Sequence, residues 1–447
     1  MSSRLARPLA GIDRRTLFRG LGLFSAGVIA GEVVPAVAQR ALPRLSPEAN
    51  DWTQREFVAD PVMNDQFRAH LCQMLHGAAD LGECLDIASR IEPESELSWL
   101  EAWLGTAQRL HAQADASLQR GHRQSAGSAY LRAANYYRAS LIHHSLPDPR
   151  IEDICRRSRR CQDLAFELSG YPATPVEIPY EGTTLPGYLV RSPAAPATAP
   201  LLIMHQGRDA WPEDTQWVYE NARRRGIHAL IFHAPGQGLP LRLGGLPFRP
   251  DWEAVIRPVV DFALGIQGVD PARLALMGLS FGGFLAPRAV AIEQRIKLCI
   301  ANPGVLDWGA STREHFESLP GMMSLYRSSP DGFDRAMNAL GKLWPTAGWW
   351  LRDASLKHGV STPHELFREI DRYDNRPFAE RIRCHMLIMD GTSEVFSGGQ
   401  AQQLFDALRC PKDLMLFDAT STAQLHCQNG GTAHAAERLF DWLADEL

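Results

Sequence analysis

The clearest chemical signal in the sequence is a serine between two glycines, in the segment Gly278-Leu279-Ser280-Phe281-Gly282. An apolar run, LALM, precedes this segment, and a helical pattern follows it. Glycines on both sides allow a tight turn from a strand into a helix and leave the serine hydroxyl uncovered. This context favours a nucleophilic Ser280 over an ordinary glycine-rich turn.

A serine hydroxyl needs a neighbouring base before it can act as a nucleophile. His426 lies in the loop ATSTAQLHCQNGG, after the last apolar run and before a closing helical pattern. Because the base follows late in the chain after such a serine turn, we predict that His426 accepts the proton of Ser280. His434 is the alternative, but its setting, AHAAERLFDWL, places it on the solvated face of a helix.

Two carboxylates compete for the position of an acid that would orient the histidine. Asp390 ends the apolar run HMLIMD, and Glu394 follows four residues later. The acid commonly lies two or three residues beyond the turn glycine, so the stretch GTSE favours Glu394. Asp390 remains the alternative acid, with a simpler role as an acceptor for the amides of the turn.

An oxyanion formed at the serine would need two backbone N–H donors. We predict one donor from Phe281 and a second from the loop after the third strand, at Gln206, Gly207 or Arg208, without choosing among these amides. We expect His205, at the end of that strand, to orient the loop. Candidate pocket residues, each equally compatible with packing or with the surface, are Arg208, Tyr137, Trp349 and Trp350.

The elements that must position these residues are apolar runs separated by helical patterns. The runs are LLIMHQG (201–207), HALIFHAPG (228–236), LALMGLS (274–280), LCIANPG (298–304), HMLIMDG (385–391) and DLMLFD (413–418), preceded by a hairpin made of VEIPYEG and TLPGYLV. Such runs predict an α/β fold with a mostly parallel sheet that helices cover on both faces. We predict an N-terminal helical cap domain over residues 39–170, a core over 171–304 and 377–447, and a helical cap insertion over 305–376.

Residues 1–38 carry the features of an export signal. Arg14 and Arg15 precede a short Gly- and Ala-rich apolar stretch, and Ala36-Val37-Ala38 resembles a cleavage site. The paired arginines are typical of a twin-arginine signal, which exports folded proteins to the periplasm or the exterior. Because Glu32 interrupts the apolar stretch, we expect no stable membrane insertion.

Composition excludes several other classes of function. The formal net charge of −5 indicates no nucleic-acid partner. Eight scattered cysteines contain no C-x-x-C pair, and we expect neither a metal nor a cofactor. Cys384 and Cys410 are the candidate disulfide pair, although buried free thiols are the favoured state. A homodimer is compatible with the sequence, which does not fix the oligomeric state.

An ordered set of motifs resembles one group of α/β hydrolases. The motifs are VEIPYEGTTLPGYLV, HAPGQG, LPFRPDWEAVIRPVVDFA, GLSFGGFLAPRA, IANPG, QLHCQNG and, in the N-terminal helices, AYLRAANYYRAS. The group includes 2,6-dihydropseudooxynicotine hydrolase, the fungal heptaketide-shortening pigment hydrolases and the fermentation–respiration switch proteins. The resemblance covers residues from about 50 to 447 and implies an α/β-hydrolase fold with an N-terminal helical cap.

The resemblance also implies hydrolysis of a small organic molecule, with carbon–carbon bonds beside a ketone cleaved in two of the relatives. It implies that Ser280 is the nucleophile, that His426 is the base and that Glu394 occupies an acid position where relatives mostly have aspartate. This chain departs from the group at Gln206, where H-G-G is usual, and at His233, where aspartate is usual. An export signal is also unusual for the group. An exported serine peptidase or amidase, and a non-catalytic binding protein of the same fold, are the alternative functions.

Overall fold

The computed structural model describes residues 52–318 and 321–447. The predicted export signal, residues 1–38, lies outside the described residues. Among the helices that are described, none is long and apolar enough to cross a membrane. The same residues contain no group of three or more His, Cys, Asp and Glu side chains that could hold a metal ion.

Five α-helices of the described chain precede the sheet. They are α1 (Pro61–Leu71), α2 (Leu81–Ala88), α3 (Glu96–Gln119), α4 (Arg123–Ile142) and α5 (Ile151–Ser169). The side chains of Asp60, Asp80 and Ser95 cap the first three by accepting hydrogen bonds from amides of the first turn. Between α3 and α4 the rings of Trp103 and Tyr136 pack with their centroids 5.4 Å apart. Aromatic burial of this kind holds the N-terminal helices together as one layer.

The sheet has eight strands in the spatial order β1-β2-β4-β3-β5-β6-β7-β8. They are β1 (Ala173–Tyr180), β2 (Thr183–Val190), β3 (Ala199–His205), β4 (His228–Phe232), β5 (Val269–Leu279), β6 (Leu298–Asn302), β7 (His385–Gly391) and β8 (Lys412–Phe417). The β1–β2 hairpin pairs antiparallel to β4, and the other neighbouring strands are parallel. The prediction of a mostly parallel sheet with an N-terminal hairpin is confirmed.

Helices cover both faces of this sheet. They are α6 (Gln216–Arg224), α7 (Gly238–Gly244), α8 (Glu253–Leu264), α9 (Gly282–Val290), α15 (Arg376–Ala379), α16 (Gln400–Ala407) and α17 (Thr432–Glu446). Leu201 and Ile203 of β3 pack on the side of α8, α9 and α16, while Leu202 and Met204 pack on the side of α6 and α17. Because both faces are buried, the strands appear in the sequence as continuous apolar runs.

The chain between β6 and β7 forms a helical insertion. Its helices are α10 (Ala310–Ser318), α11 (Met322–Ser328), α12 (Pro330–Leu343), α13 (Pro345–His358) and α14 (Pro363–Ile370). Helices α11 to α14 share an apolar core to which Val62 of α1 also contributes. Thr346 Oγ1 donates to Asp60 Oδ2 at 3.0 Å, and Arg352 pairs with Glu96 at 2.5 Å. The insertion therefore packs on the N-terminal helices as well as on the sheet.

All eight cysteines lie in the described residues, and all are free thiols. Cys384 and Cys410, the candidate disulfide pair, stand just before β7 and β8 and are not joined. Burial raises the pKa of Cys299, on β6, well above its ordinary value. A buried thiol of this kind stays protonated and packs as a small apolar side chain.

Candidate active site

Ser280 lies at the turn between β5 and α9, at the carboxyl end of the parallel strands. Its backbone adopts a left-handed conformation, with φ of 58°, that residues with a side chain rarely accept. The Ser280 amide donates to the carbonyl of Asn302 at 2.6 Å, which ties the turn to the end of β6. A side chain at Gly278 would meet the carbonyl oxygen of Gly282 at 2.0 Å. Glycine is therefore required where the strand and the helix touch.

His426 follows β8 in a short 3₁₀ turn, His426–Gln428. Its Nε2 lies 2.9 Å from Ser280 Oγ. The Phe396 ring meets the imidazole edge-on, with the two centroids 4.6 Å apart. At the end of the turn, Gln428 Oε1 accepts from Asn302 Nδ2 at 2.7 Å, which joins this loop to β6. The histidine is thus held from two sides within reach of the serine.

Glu394, and not Asp390, contacts the histidine. Glu394 Oε2 lies 2.6 Å from His426 Nδ1, while Oε1 accepts from the amides of Phe396 and Ser397 at 2.7 and 3.2 Å. A carboxylate accepts, so Nδ1 carries the proton and Nε2 is left to accept from the serine hydroxyl. Asp390 accepts from its neighbour's amide, that of Gly391, at 2.9 Å.

The electrostatic surroundings differ between the two carboxyls. Burial raises the pKa of Asp390 to about 7, and the charge of Glu394 adds to this rise. Burial also acts to raise the pKa of Glu394, but the charge of His426 and its hydrogen bond lower it overall. Burial lowers the pKa of His426, whereas Cys427 and Glu394 raise it well above the ordinary value. An ionised Glu394 therefore stabilises a protonated His426.

The loop after β3 packs directly against the serine turn. A side chain at Gly207 would come within 2.5 Å of the Phe281 amide nitrogen and 2.6 Å of Ser280 Cβ. Only glycine fits at this position without moving the backbone. The structure therefore brings together Gly207 and Phe281, two of the residues predicted to form an oxyanion hole.

His205 orients this loop, as its position at the end of β3 predicts. Trp252 Nε1 donates to His205 Nε2 at 3.3 Å, so the proton of the neutral ring is on Nδ1. Nδ1 then donates to the carbonyl of Gln206 at 3.1 Å, and Gln237 Nε2 donates to the same oxygen. Burial lowers the pKa of His205 to about 4, which keeps the ring neutral.

The side chain of Arg208 joins the loop after β3 to the insertion. Arg208 pairs with Asp353 of α13 at 2.5 Å, and Lys357 lies 2.9 Å from the same carboxylate. Lys357 Nζ also donates to Asp209 Oδ1 at 2.6 Å. Burial favours a raised pKa for Asp209, but the charges of Lys357 and Arg208 lower it to about 2. No motif in the sequence marks this ion-pair cluster, and its signal in the sequence is the i,i+4 spacing of Asp353 and Lys357 in an aromatic helix.

A cavity with a volume of about 150 Å³ lies over Ser280 and His426. The insertion contributes Trp349 and Trp350, and the loop after β3 contributes Arg208, so these three pocket candidates do line it. Another wall comes from α1, whose lining residues no motif in the sequence marks. The α1 residues are Val62, Asp65, Gln66, Ala69 and His70, whose spacing of three and four places them on one helix face.

Two other residues that the sequence drew attention to lie elsewhere. Tyr137, a candidate pocket residue, is buried among the N-terminal helices, where its hydroxyl lies 3.1 Å from His111 Nδ1. The spacing of Tyr137 from its apolar neighbours on the helix therefore reflects packing among the N-terminal helices and not a position in the pocket. His434 lies on α17 with 43% of its side chain exposed, 3.6 Å from Glu437, and takes no part in the serine site.

His233, where the resembling group usually has aspartate, forms a buried pair with Glu213. His233 Nδ1 accepts from the Leu239 amide at 3.4 Å, so Nε2 carries the proton and donates to Glu213 Oε1 at 3.1 Å. Burial would raise the pKa of Glu213, but His233 and Arg138 lower it to about 2. His233 and Arg138 thus balance the negative charge of the buried Glu213 carboxylate. The hydrogen bond between His233 and Glu213 holds the loop after β3 to the end of β4.

The chain is similar to known esterases and hydrolases over most of its length. The model of the FrsA-like esterase family matches residues 94–329. The 20-hydroxy-prefusarin hydrolase FUS2 of Gibberella moniliformis is 32% identical over 86% of this chain and 96% of its own. The hydrolase acrC of Aspergillus aculeatus is 30% identical over 88% of this chain and 98% of its own.

Solved structures agree on the fold. The structure of 2,6-dihydroxy-pseudo-oxynicotine hydrolase matches with a TM-score of 0.65 at 20% identity, over 84% of this chain and 95% of that one. A structure titled AbyA5 wildtype matches with a TM-score of 0.59 at 16% identity, over 86% and 95% of the two chains. The resemblance inferred from the sequence motifs is confirmed: this chain is a hydrolase with the α/β-hydrolase fold and belongs to the FrsA-like esterase family.

Proposed function

We propose that this protein cleaves an ester or a ketone-activated carbon–carbon bond in a small organic molecule through an acyl-enzyme. Ser280 is the nucleophile, His426 the general base and Glu394 the acid that orients the imidazole. The observation that carries the proposal is the chain of hydrogen bonds from Glu394 to His426 at 2.6 Å and from His426 to Ser280 at 2.9 Å. Acyl transfer by a serine requires such a series of contacts, in which the acid orients the base and the base accepts the proton of the serine hydroxyl.

In the proposed reaction, Ser280 Oγ attacks the substrate carbonyl as His426 Nε2 takes the hydroxyl proton. The tetrahedral intermediate collapses to an acyl-serine, and His426 gives the proton to the leaving group. Water, activated by the same histidine, then releases the acid. When the leaving atom is carbon, His426 must protonate an enolate, so a ketone or phenol beside the broken bond is needed to stabilise the negative charge.

The oxyanion hole is proposed to use the amide of Phe281 and an amide of the loop after β3. The Gln206 carbonyl is occupied by His205 and Gln237. Because the peptide is planar and trans, the N–H of Gly207 points away from that carbonyl. This orientation, together with the close approach of Gly207 to the Phe281 amide nitrogen, supports Gly207 as the second donor.

The shape of the cavity supports a small, partly aromatic substrate. It is bounded by the N-terminal helix α1 on one side and by the insertion on another, and Trp308, Trp349, Trp350 and Phe396 supply aromatic walls. A concave pocket with mostly apolar surface and several polar groups that can orient a ligand is typical of sites for small molecules. A polypeptide substrate would need an open cleft, so this geometry favours the esterase or carbon–carbon hydrolase over the peptidase.

Labelling with a fluorophosphonate probe tests the nucleophile. We expect wild-type protein to be labelled on Ser280 and Ser280→Ala to remain unlabelled. Ser324→Ala, an exposed serine on α11, is the matched control and should label like the wild type. Absence of labelling in folded wild-type protein would contradict the proposal.

A substrate panel then separates the bond types. Purified protein is assayed with aryl esters, lactones, aminoacyl arylamides and β-diketones, always beside Ser280→Ala. Turnover of esters or β-diketones that the variant lacks is the expected result. Turnover confined to the arylamides would identify a peptidase or amidase instead.

We also propose that the mature protein is exported in folded form to the periplasm or the exterior. The support is the order of the paired arginines, the short apolar stretch and the A-x-A site in residues 1–38. Expression of the whole chain in a bacterium with a twin-arginine pathway, beside Arg14→Lys/Arg15→Lys, tests it. Cell fractionation should place the wild type outside the cytoplasm and the double variant inside it.

A further inference from the structure

We propose that Asp353 and Lys357, on α13 of the insertion, are positioning residues for the oxyanion hole. They hold the loop after β3 so that the N–H of Gly207 stays directed at the oxygen of the tetrahedral intermediate. The inference rests on the proposed function, because it assigns residues that support the same site. Within the described chain neither residue lines the cavity over Ser280, so their effect on the reaction passes through the loop.

The Gly207 amide needs support from its neighbours. A side chain does not fit at this position, since an added Cβ would lie 2.6 Å from Ser280 Cβ. Glycine has wide freedom in φ and ψ, so the contacts on either side must fix the direction of its N–H. On the N-terminal side, His205 and Gln237 hold the carbonyl of Gln206. On the C-terminal side, the insertion holds the loop.

The two residues that follow Gly207 are both bound by α13. Arg208 Nη2 donates to Asp353 Oδ2 at 2.5 Å, and Lys357 Nζ donates to Asp209 Oδ1 at 2.6 Å. Lys357 Nζ also lies 2.9 Å from Asp353 Oδ2. Positive and negative side chains therefore alternate in one series of contacts that begins and ends on consecutive residues of the loop. This arrangement fixes both residues, whereas a single ion pair would fix one.

The end of α13 is itself joined to the serine turn. The Lys357 carbonyl accepts from the Phe248 amide at 2.8 Å. The Phe248 ring meets the Phe281 ring edge-on, with the two centroids 5.2 Å apart. Phe281 supplies the other proposed donor of the oxyanion hole. The same end of α13 therefore contacts the supports of both donors.

The burial of these charges favours a role in orientation over a role in stability. Asp353 is fully buried, and Lys357 is 3% exposed. A buried ion pair adds little net stability compared with apolar residues of similar volume, because both charges lose their hydration. Hydrogen bonds between charged groups do impose a specific geometry. A catalytic group displaced by about 1 Å can lose about a hundredfold in rate, so a fixed loop has a direct value for the reaction.

Two ketones that differ in one substituent test the inference without requiring turnover. With phenyl trifluoromethyl ketone, Ser280 Oγ bonds to the carbonyl carbon, the π electrons of the carbonyl move onto its oxygen, and His426 Nε2 takes the hydroxyl proton. The product is an oxyanion like that of the tetrahedral intermediate, whereas acetophenone binds without this addition. Contacts with the oxyanion therefore strengthen binding of the trifluoromethyl ketone alone. Wild type should bind it at least about a hundredfold more tightly than acetophenone.

The variants to compare are Lys357→Met, Asp353→Asn, the conservative Lys357→Arg and the matched control Arg352→Met. Arg352 is the neighbour of Asp353 on α13, but it pairs with Glu96 of α3 at 2.5 Å and not with the loop after β3. Inhibition constants for both ketones, and kcat and KM for an aryl ester, are measured after thermal unfolding has verified that each variant is folded. Lys357→Met leaves Asp353 paired with Arg208, so this variant tests the inference even if Asp353→Asn fails to fold.

We expect Lys357→Met and Asp353→Asn to weaken binding of the trifluoromethyl ketone and to lower kcat by the same factor, about tenfold to a hundredfold. Binding of acetophenone and the KM of the ester should change by less than about threefold, because the ground state carries no oxyanion. Lys357→Arg should retain most of the binding, and Arg352→Met should behave like wild type.

Several results would overturn the inference. Equal weakening of the two ketones, or a raised KM at unchanged kcat, would mean that the cluster shapes the pocket and not the oxyanion hole. An equal loss in Arg352→Met would mean that any loosening of the insertion has the same effect. Wild-type behaviour of Lys357→Met would mean that the loop holds its position without the cluster.

The two proposals fail in different ways. If wild type binds the two ketones equally and is not labelled by the fluorophosphonate probe, the proposed nucleophile is wrong and this inference falls with it. If wild type prefers the trifluoromethyl ketone and every variant keeps that preference in full, the nucleophile stands and only the positioning role of Asp353 and Lys357 is wrong.

Discussion

Glu394 Oε2 lies 2.6 Å from Nδ1 of His426, whereas the carboxylate of Asp390 accepts from the amide of Gly391 at 2.9 Å. The two acids are four residues apart in the chain, yet only the longer side chain reaches the imidazole. The amides of Phe396 and Ser397 hold the other oxygen of Glu394. This anchoring fixes the carboxylate in the one orientation from which it contacts the ring.

Replacing the two acids separately should distinguish their roles. Glu394→Gln removes the charge that stabilises protonated His426, and we expect kcat to fall about 10³- to 10⁴-fold, as for other orienting acids. Asp390→Asn keeps a side-chain oxygen that can accept from the Gly391 amide, so kcat should change by less than about threefold. Steady-state kinetics on an aryl ester measures both, with circular dichroism to verify folding. Loss of activity in Asp390→Asn alone would mean that the acid is wrongly assigned.

The pH profile should report the titration of His426. The imidazole acts as a base only when neutral, and Cys427 and Glu394 raise its pKa above the ordinary value in spite of burial. The acid limb of kcat/KM should therefore have its midpoint above about pH 6.5, the ordinary value for histidine. In the residual activity of Glu394→Gln the limb should move to lower pH, because one source of the raised pKa is gone. If the acid limb of Glu394→Gln had the same midpoint as that of the wild type, this result would argue against a contact between Glu394 and His426 in solution.

Gly207→Ala should damage the site without touching a reacting atom. The added methyl would lie 2.5 Å from the Phe281 amide nitrogen, so the loop or the serine turn must shift. A displacement of about 1 Å in a catalytic group can cost about a hundredfold in rate. Gly105→Ala is the matched control, because the nearest atom to its methyl is Arg90 Nη1 at 3.8 Å. It should keep full kcat/KM and gain about 0.5–1 kcal/mol from helix propensity.

Arg138→Ala should destabilise the fold strongly. Arg138 is buried on α4 and pairs with Asp214, which is also buried, at 2.9 Å. Removing one partner leaves a buried charge uncompensated, which costs about 3–5 kcal/mol in the free energy of unfolding. Arg156→Ala breaks an exposed pair with Glu152 and should cost less than about 0.5 kcal/mol. Urea unfolding of both variants measures the difference, and equal effects would refute the structural role of Arg138.

The sequence alone was sufficient for the features that depend on local periodicity. Continuous apolar runs predict strands buried on both faces, and the glycines around Ser280 predict the tight turn that the structure contains. Ser280, Glu394 and His426 each follow a different parallel strand in the sequence. Because the loops after parallel strands meet at the same edge of the sheet, the sequence predicts that these three residues lie near one another. The N-terminal helices were likewise predictable from their spacing.

Only the tertiary structure decided which side chains meet across the cavity. Glu394 could be favoured over Asp390 by position, but its contact with His426 depends on how two loops from different strands pack. Tyr137 and Asp65 both lie on helical apolar patterns, and one is buried among helices while the other faces the cavity. Periodicity identifies the face of a helix that is covered, and what covers that face is set by residues distant in the chain.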